Sequence, residues 1–282
     1  MITRIWTDPE IIGRIYLQIC RLQFQNFTSE NEKNEIFKYL FALMHKLHAI
    51  KYHLENYQRI EKKEHKVALK KFRKNPNSTV EAFDLIFEFE GFLFQVKSSL
   101  DMLVKLLDPI LGKGFVRTKT FAKKGKSIIK GLEQLKNKKQ IIAERVDNFI
   151  ELIKSDKDNW LEKVIDYRDE LNHSQGLSNF KFMPKKLKNG QIVPAEPIFK
   201  GIQVVPFLQA VYRANIEFSQ DFFCYALFLR MPEFILLGKD SEENSRNYFN
   251  NSPGSQFARY SWFPKKNNHR EDKLQHSQQG RL

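Results

Sequence analysis

Residues 29–57 read SENEKNEIFKYLFALMHKLHAIKYHLENY, and residues 86–107 read IFEFEGFLFQVKSSLDMLVKLL. In the first stretch Ile36, Leu40, Leu43, Leu47, Ile50, Leu54 and Tyr57 recur by fours and threes. In the second, Ile86, Phe89, Leu93, Val96, Leu100, Leu103 and Leu107 do the same. That period puts each set along one side of an α-helix, where only burial against a partner removes it from water. Ser29 and Glu32 form a capping-box pattern ahead of the first helix, which is expected over about 31–72. It fades through Glu61-Lys62-Lys63-Glu64, read as solvated surface, and stops near Asn75-Pro76-Asn77. Ser78 or Thr79 then caps a second helix over about 79–107, ended by Asp108-Pro109 and Gly112. Two such stripes joined by a short turn are expected to pack as an antiparallel hairpin, the frame of an all-α bundle.

Working outward, Thr7-Asp8-Pro9-Glu10 is a helix-start signal, and Ile12, Ile15, Ile19 and Leu22 carry a helix over about 9–25. Helical period returns through Val146, Phe149, Ile150 and Ile153, and Ser155-Asp156 offers a fresh cap for a helix bearing Trp160, Val164 and Leu171 that ends before Gly176. Prolines 184, 194, 197 and 206 then interrupt periodicity, with Asn189-Gly190 suited to turning a small hairpin. A last apolar helix spans about 206–230, and beyond Gly238 the chain is rich in Asn, Ser, Gln and charge. The expected organisation is an N-terminal helix (1–28), a helical domain (29–232) that includes a basic segment (113–140) and a loop or hairpin excursion (177–205), and a flexible polar tail (233–282).

The chain has 282 residues, 41% hydrophobic, enough to bury a sizeable core. Lys+Arg number 47 against 33 Asp+Glu, a formal +14 that attracts polyanions and leaves nucleic acid, anionic membrane and acidic protein as partner classes. The longest apolar run, Phe222 to Leu229, is far short of the roughly 18–20 residues a spanning helix needs, so no membrane insertion is expected. The first ten residues lack the apolar core of a secretory signal, and a cytoplasmic location is expected. Cys20 and Cys224 lie in apolar segments and read as buried thiols rather than as a disulfide.

Charge is concentrated in 113–140, where Lys113, Arg117, Lys119, Lys123, Lys124, Lys126, Lys130, Lys136, Lys138 and Lys139 face Glu133 alone. Lys123, Lys124, Lys126, Lys138 and Lys139 are the candidate phosphate contacts; the plainer reading is a solvated helix face. Lys124-Gly125-Lys126-Ser127 imitates the end of a P-loop, but the glycine required five positions before Gly125 is Thr120, so that reading fails. His45, His48 and His53 share one helix without a cysteine to complete a metal set, and read as helix-surface histidines.

Arg168-Asp169-Glu170-Leu171-Asn172-His173 places an Arg and a His at the end of a helix. Asp169 and His173, four apart, share a helix face on which the carboxylate can hold the imidazole in a useful tautomer, and Arg168 and Asn172 form the neighbouring pair. An Arg at the edge of a packed face suits a forked phosphate contact. The plainer alternatives are an ion pair of Arg168 with Asp169, Glu170 or Asp101, and a His173 favoured by the helix C-terminal dipole. Arg59 with His65 and Arg270 with His276 have similar spacing, but only Arg168 is followed by a small polar residue inside a packed helix.

This segment, downstream of a long helix bearing Lys97-Ser98-Ser99-Leu100-Asp101, resembles the motif of the HEPN superfamily, helical proteins of higher eukaryotes and prokaryotes. The resemblance covers about residues 30–230. It implies a HEPN-like bundle and a metal-independent endoribonuclease with no cofactor, in which His173 moves protons, Arg168 steadies charge on phosphorus and Asp169 or Asn172 orients the site. It further implies a homodimer with a composite cleft, RNA as substrate, a toxin or antiviral setting, and a neutralising partner protein. Family toxins silenced by nucleotide transfer carry Tyr two positions after the His, whereas here the residue is Gln175, which argues against that control. The alternative readings are a non-catalytic helical module that binds RNA or a nucleotide, and a protein-interaction scaffold.

Overall fold

A computed structural model describes residues 8–23, 29–115, 119–137, 142–173, 180–239 and 254–265. The chain is mostly helical, with three small antiparallel strand groups. Its frame is α3 (Glu30–Lys74) packed along α4 (Phe83–Leu111). Three cross-links fix the pair as antiparallel. Arg230 joins Glu32 (3.1 Å) to the carbonyl of Pro109 (3.4 Å), His53 Nδ1 lies 2.7 Å from Glu88, and Lys71 donates to the Thr79 carbonyl at 2.8 Å. At mid-length Gly91 lets the helices close: a Cβ there would lie 2.5 Å from the His53 ring. The expected hairpin of long helices is therefore the observed frame, and the Ser29–Glu32 capping box forms in both directions.

Both ends of α4 differ from expectation. Ser78 and Thr79 do not cap it; Val80–Glu81 (β1) instead pairs with Lys181–Lys186 (β2), and the helix starts after Ala82. Nor does Pro109 stop it. Proline there removes one intrahelical hydrogen bond near the C-terminus, and the helix still runs to Leu111 before Gly112, at φ +105°, turns the chain away.

α1 (Pro9–Ile11), a π-helical stretch (Ile12–Leu17) and α2 (Gln18–Leu22) make one helical segment, with Asp8 accepting from the Glu10 and Ile11 amides and Pro9 in the first turn. It ends at Gln23, in the left-handed region, rather than at 25. Ile11, Ile15, Ile19 and Leu22 are fully buried in the same apolar cluster as α3 and α4, so residues 9–22 belong to the one core. α5 (Lys126–Asn137) is followed by α6 (Ala143–Asp156), a second π-helical stretch (Lys157–Leu161) and α7 (Glu162–His173). No break falls at Ser155-Asp156: Asp156 accepts from the Trp160 indole at 2.6 Å instead of capping a new helix.

The 177–205 region is more than a surface excursion. β2 and β3 (Ile192–Ala195) form the expected hairpin, closed by Asn189 and by Gly190 at φ +82°. Beside them β4 (Ile198–Phe199) pairs with β5 (Ile202–Gln203). Phe180, Phe182 and Phe199 are nonetheless buried, and Phe89 of α4 lies 5.3 Å from Phe180 and 5.1 Å from Phe199 between ring centres. α8 (Val204–Phe228) crosses α4, α6 and α3 and carries the last apolar stripe.

The tail expected to be flexible also contributes structure. Within 233–282, β6 (Ile235–Lys239) pairs with β7 (Tyr260–Pro264), and the Trp262 indole donates to Leu22 at 2.6 Å. The buried Gln18 amide binds both backbone groups of Tyr260, at 2.9 and 2.8 Å, and Gln220 joins that network at 2.9 Å. Composition misreads this strand because its few anchoring residues are diluted among polar neighbours. Of the cysteines, Cys224 is buried but Cys20 is exposed, on the outer side of α2. No described helix is long and apolar enough to cross a membrane.

Candidate functional site

α7 is pinned to the frame by Trp160, Leu161, Val164 and Ile165, all buried, and farther along by Tyr167. The Tyr167 ring meets Phe199 edge-on at 5.2 Å and Phe207 at 5.5 Å, so the last turns of α7 lie against the aromatic cluster around Phe89. Lys200 lies 5.9 Å above the same ring and pairs with Glu170. Position 168 is thereby fixed beside a rigid anchor.

Arg168 is about a quarter exposed, and its Nη2 donates to Asp169, which is about half exposed. Its Nε is buried and, among the described residues, has no hydrogen-bond partner. The guanidinium is therefore held at the packing edge with its Nε enclosed and unsatisfied, so an incoming acceptor meets the Nη groups first and reaches Nε only by displacing packed neighbours. Asp169 engages Arg168, the plainer of the two roles open to it. The backbone of α7 reaches His173, while the side chains of Asn172 and His173 lie outside the described residues. Among the described residues no group of three His, Cys, Asp or Glu side chains converges as a metal-ligand set.

The Lys97–Asp101 segment has structural work in the core. Ser99 accepts from the Asn215 amide of α8 at 3.0 Å and donates to the Val96 carbonyl at 2.7 Å, while Asp101 accepts from Lys97 at 2.5 Å and from the Phe121 amide at 2.7 Å. Asp101 thus holds the entry to the basic segment. There Lys124 is gripped by Glu162 (2.6 Å) and Asp166 (2.8 Å) of α7, which raise its pKa, and Lys136 binds Asp147 at 2.6 Å. Lys126 is exposed; Lys138, Lys139 and the Lys123 side chain lie outside the described residues. Of the helix histidines, His45 is exposed, His53 is bound to Glu88, and burial lowers the pKa of His48.

A second constellation escaped the sequence reading. A groove between α3 and the β2–β3 hairpin is lined by Glu61, Lys62, His65, Lys66 and Glu196. Beneath it Tyr57 is fully buried, and its hydroxyl has no partner among the described residues. Burial, reinforced by the charge of Glu196, raises the Glu61 carboxyl to about 7, although Lys62 opposes the shift. Because the folded protein holds this proton more tightly than the unfolded chain, Glu61 costs no stability at low pH and costs progressively more as pH rises from about 4.5 through about 7. Glu61→Gln is therefore expected to remove this dependence and to be more stable than wild type by about 2 kcal/mol at pH 8.5, with little difference at pH 4. Urea melts of both proteins across that range check it, and parallel pH curves would refute it. Only Glu61 was visible in sequence, inside a stretch that read as solvated; Glu196 reaches it from a hairpin more than 130 residues away.

No protein-family model, curated protein or solved structure matches this chain.

Proposed function

We propose that the protein is a HEPN-like endoribonuclease that cuts RNA without a metal ion, with Arg168 and His173 at its centre. The observation that carries this reading is the Arg168 guanidinium, fixed at the edge of the α7 packing face with a buried, unpartnered Nε, on the same helix end as His173. In the reaction the RNA 2′-oxygen bonds to the adjacent phosphorus and the bond from phosphorus to the 5′-oxygen breaks. The proton leaving the 2′-hydroxyl reaches the departing 5′-oxygen by way of His173. Arg168 stabilises the charge that develops on the phosphoryl oxygens. Asp169 orients Arg168, and Asn172 lies one turn beyond Arg168 on the same helix. Two copies join their helix ends into a composite cleft, and Lys123, Lys126, Lys138 and Lys139 supply phosphate contacts beside it.

The test is incubation of purified protein with RNA in EDTA, followed by mapping of the ends. Cuts bearing 2′,3′-cyclic phosphates and 5′-hydroxyls are expected. Ends with a 3′-hydroxyl, or cleavage that EDTA abolishes, refute the mechanism. A second reading, an RNA-binding module that does not cut, is favoured by the Arg168–Asp169 pair, which already offsets the charge a transition state would use. Retained binding with no product would select it.

A further inference from the structure

Along the second half of α3, Arg59, Lys62, Lys66 and Lys70 follow one another at steps of three, four and four residues. At 100° per residue these positions fall within about 80° of one another, so they form a single row down the helix, with about 5–6 Å between successive Cβ atoms. All four are exposed. Among the described residues the one side-chain hydrogen bond of the four runs from Arg59 to the neutral Asn56 at 3.3 Å, and none of the four is ion-paired to a carboxylate. The contrast with the basic segment downstream is physical, since Lys124 and Lys136 there are already neutralised by Glu162, Asp166 and Asp147. The β2–β3 hairpin seated against α3 widens the basic region with exposed Lys185 and Lys186.

We infer that this row on α3 is a second polyanion-binding face, and that its ligand is the phosphate backbone of double-stranded RNA. Evenly spaced point charges suit a regularly charged polymer better than a single anion. The row borders an open groove that also includes Glu55, Lys63 and Val67; among the described residues the one exposed aromatic ring in line with it is Tyr52, one heptad before Arg59, and a lone ring does not make the succession of platforms on which unpaired bases stack, so contacts fall on the backbone of a duplex rather than on bases. An anionic membrane fits less well: among the described residues of the row and its groove, Val67 is the one exposed large apolar side chain, whereas a helix lying in a bilayer needs a continuous apolar face. This face shares with the proposed cleavage only the choice of RNA; it holds whether or not Arg168 and His173 cut.

The experiment measures binding of the full chain to a 2′-O-methylated RNA duplex, which cannot be cleaved by 2′-oxygen attack, across a salt series. The variant combining Arg59→Gln, Lys62→Gln, Lys66→Gln and Lys70→Gln is compared with wild type. Loss of four phosphate contacts should flatten the slope of log affinity against log salt by about 3 and weaken binding at least about tenfold near 0.1 M salt. The helical circular dichroism should stay unchanged, because all four side chains are exposed. An unchanged slope in the quadruple variant overturns the face, as does wild-type protein that binds phosphatidylserine vesicles but not the duplex. RNA that is cut normally by wild type while the quadruple variant keeps its slope sinks this face alone; a duplex bound through the face beside RNA that is never cut sinks the cleavage reading alone.

Discussion

Arg168→Ala and His173→Ala are each expected to lower RNA cleavage by about a thousandfold or more while leaving the helical fold in place. The figure follows from their proposed roles: a positioned proton-transfer group contributes about 10²–10⁴ and a preorganised charge at the developing oxyanion about 10²–10³. His173→Gln should fail equally, because an amide neither takes nor gives a proton near neutral pH. Arg168→Lys should also fail, since the ammonium keeps the charge but loses the fork that binds two oxygens. Asp169→Asn is expected to be milder: the amide oxygen still accepts from Arg168, and what is lost is the charge that helps fix the guanidinium. Single-turnover cleavage at saturating RNA, with circular dichroism as the folding control, checks the series. EDTA-resistant cleavage that survives His173→Ala in carefully purified protein would remove His173 from the mechanism.

The long helices were legible because their apolar stripes repeat within one element, so each residue's neighbours on the helix face lie three or four positions away in sequence. What failed to show depends on partners brought from far along the chain. The lopsided charge of 113–140 is real in composition, yet Lys124 meets carboxylates 38 and 42 residues later. Tyr260 reads as part of a polar tail until Gln18, 242 positions earlier, takes up its backbone groups. The Arg168 motif was visible as a spacing, but that Tyr167 would lock into Phe199 and Phe207, and which of Asp169, Glu170 and Asp101 would take Arg168, depended on side-chain packing that periodicity does not encode. Pro109 erred in the other direction, since a local rule for ending helices overstated the cost of one lost hydrogen bond near a terminus.

Arg145 shows the same blindness with a larger energetic consequence. It sits in the first turn of α6, 4% exposed, between residues that read as an ordinary helix start. Its guanidinium reaches the carbonyls of Phe228 (3.0 Å), Met231 (2.5 Å), Pro232 (2.9 Å) and Ile235 (2.7 Å), and lies 4.0 Å over the Phe228 ring. These carbonyls belong to the last residue of α8, the turn after it and the start of β6; the turn's own amides reach those of Phe228 and Pro232, and the guanidinium gathers all four. One side chain therefore caps α8 and fixes the course of the chain toward the β6–β7 pair. Burial lowers the guanidinium's pKa, but an arginine in contact with several carbonyls stays charged. Arg145→Met keeps much of the stem packing and removes every side-chain donor; the Phe228 and Pro232 carbonyls keep the Met231 and Ile235 amides (3.2 and 3.0 Å), while those of Met231 and Ile235 lose the guanidinium, and the expected destabilisation is about 2–3 kcal/mol. Arg145→Lys should recover part of this, because three donors on one nitrogen cannot span the spread of acceptors that the planar fork covers. Urea unfolding measures the global loss, and hydrogen exchange locates it: protection should fall first in 228–239, ahead of α3 and α4. An Arg145→Met protein within about 1 kcal/mol of wild type, with β6 still protected, would mean that water satisfies those carbonyls and that the cap is dispensable.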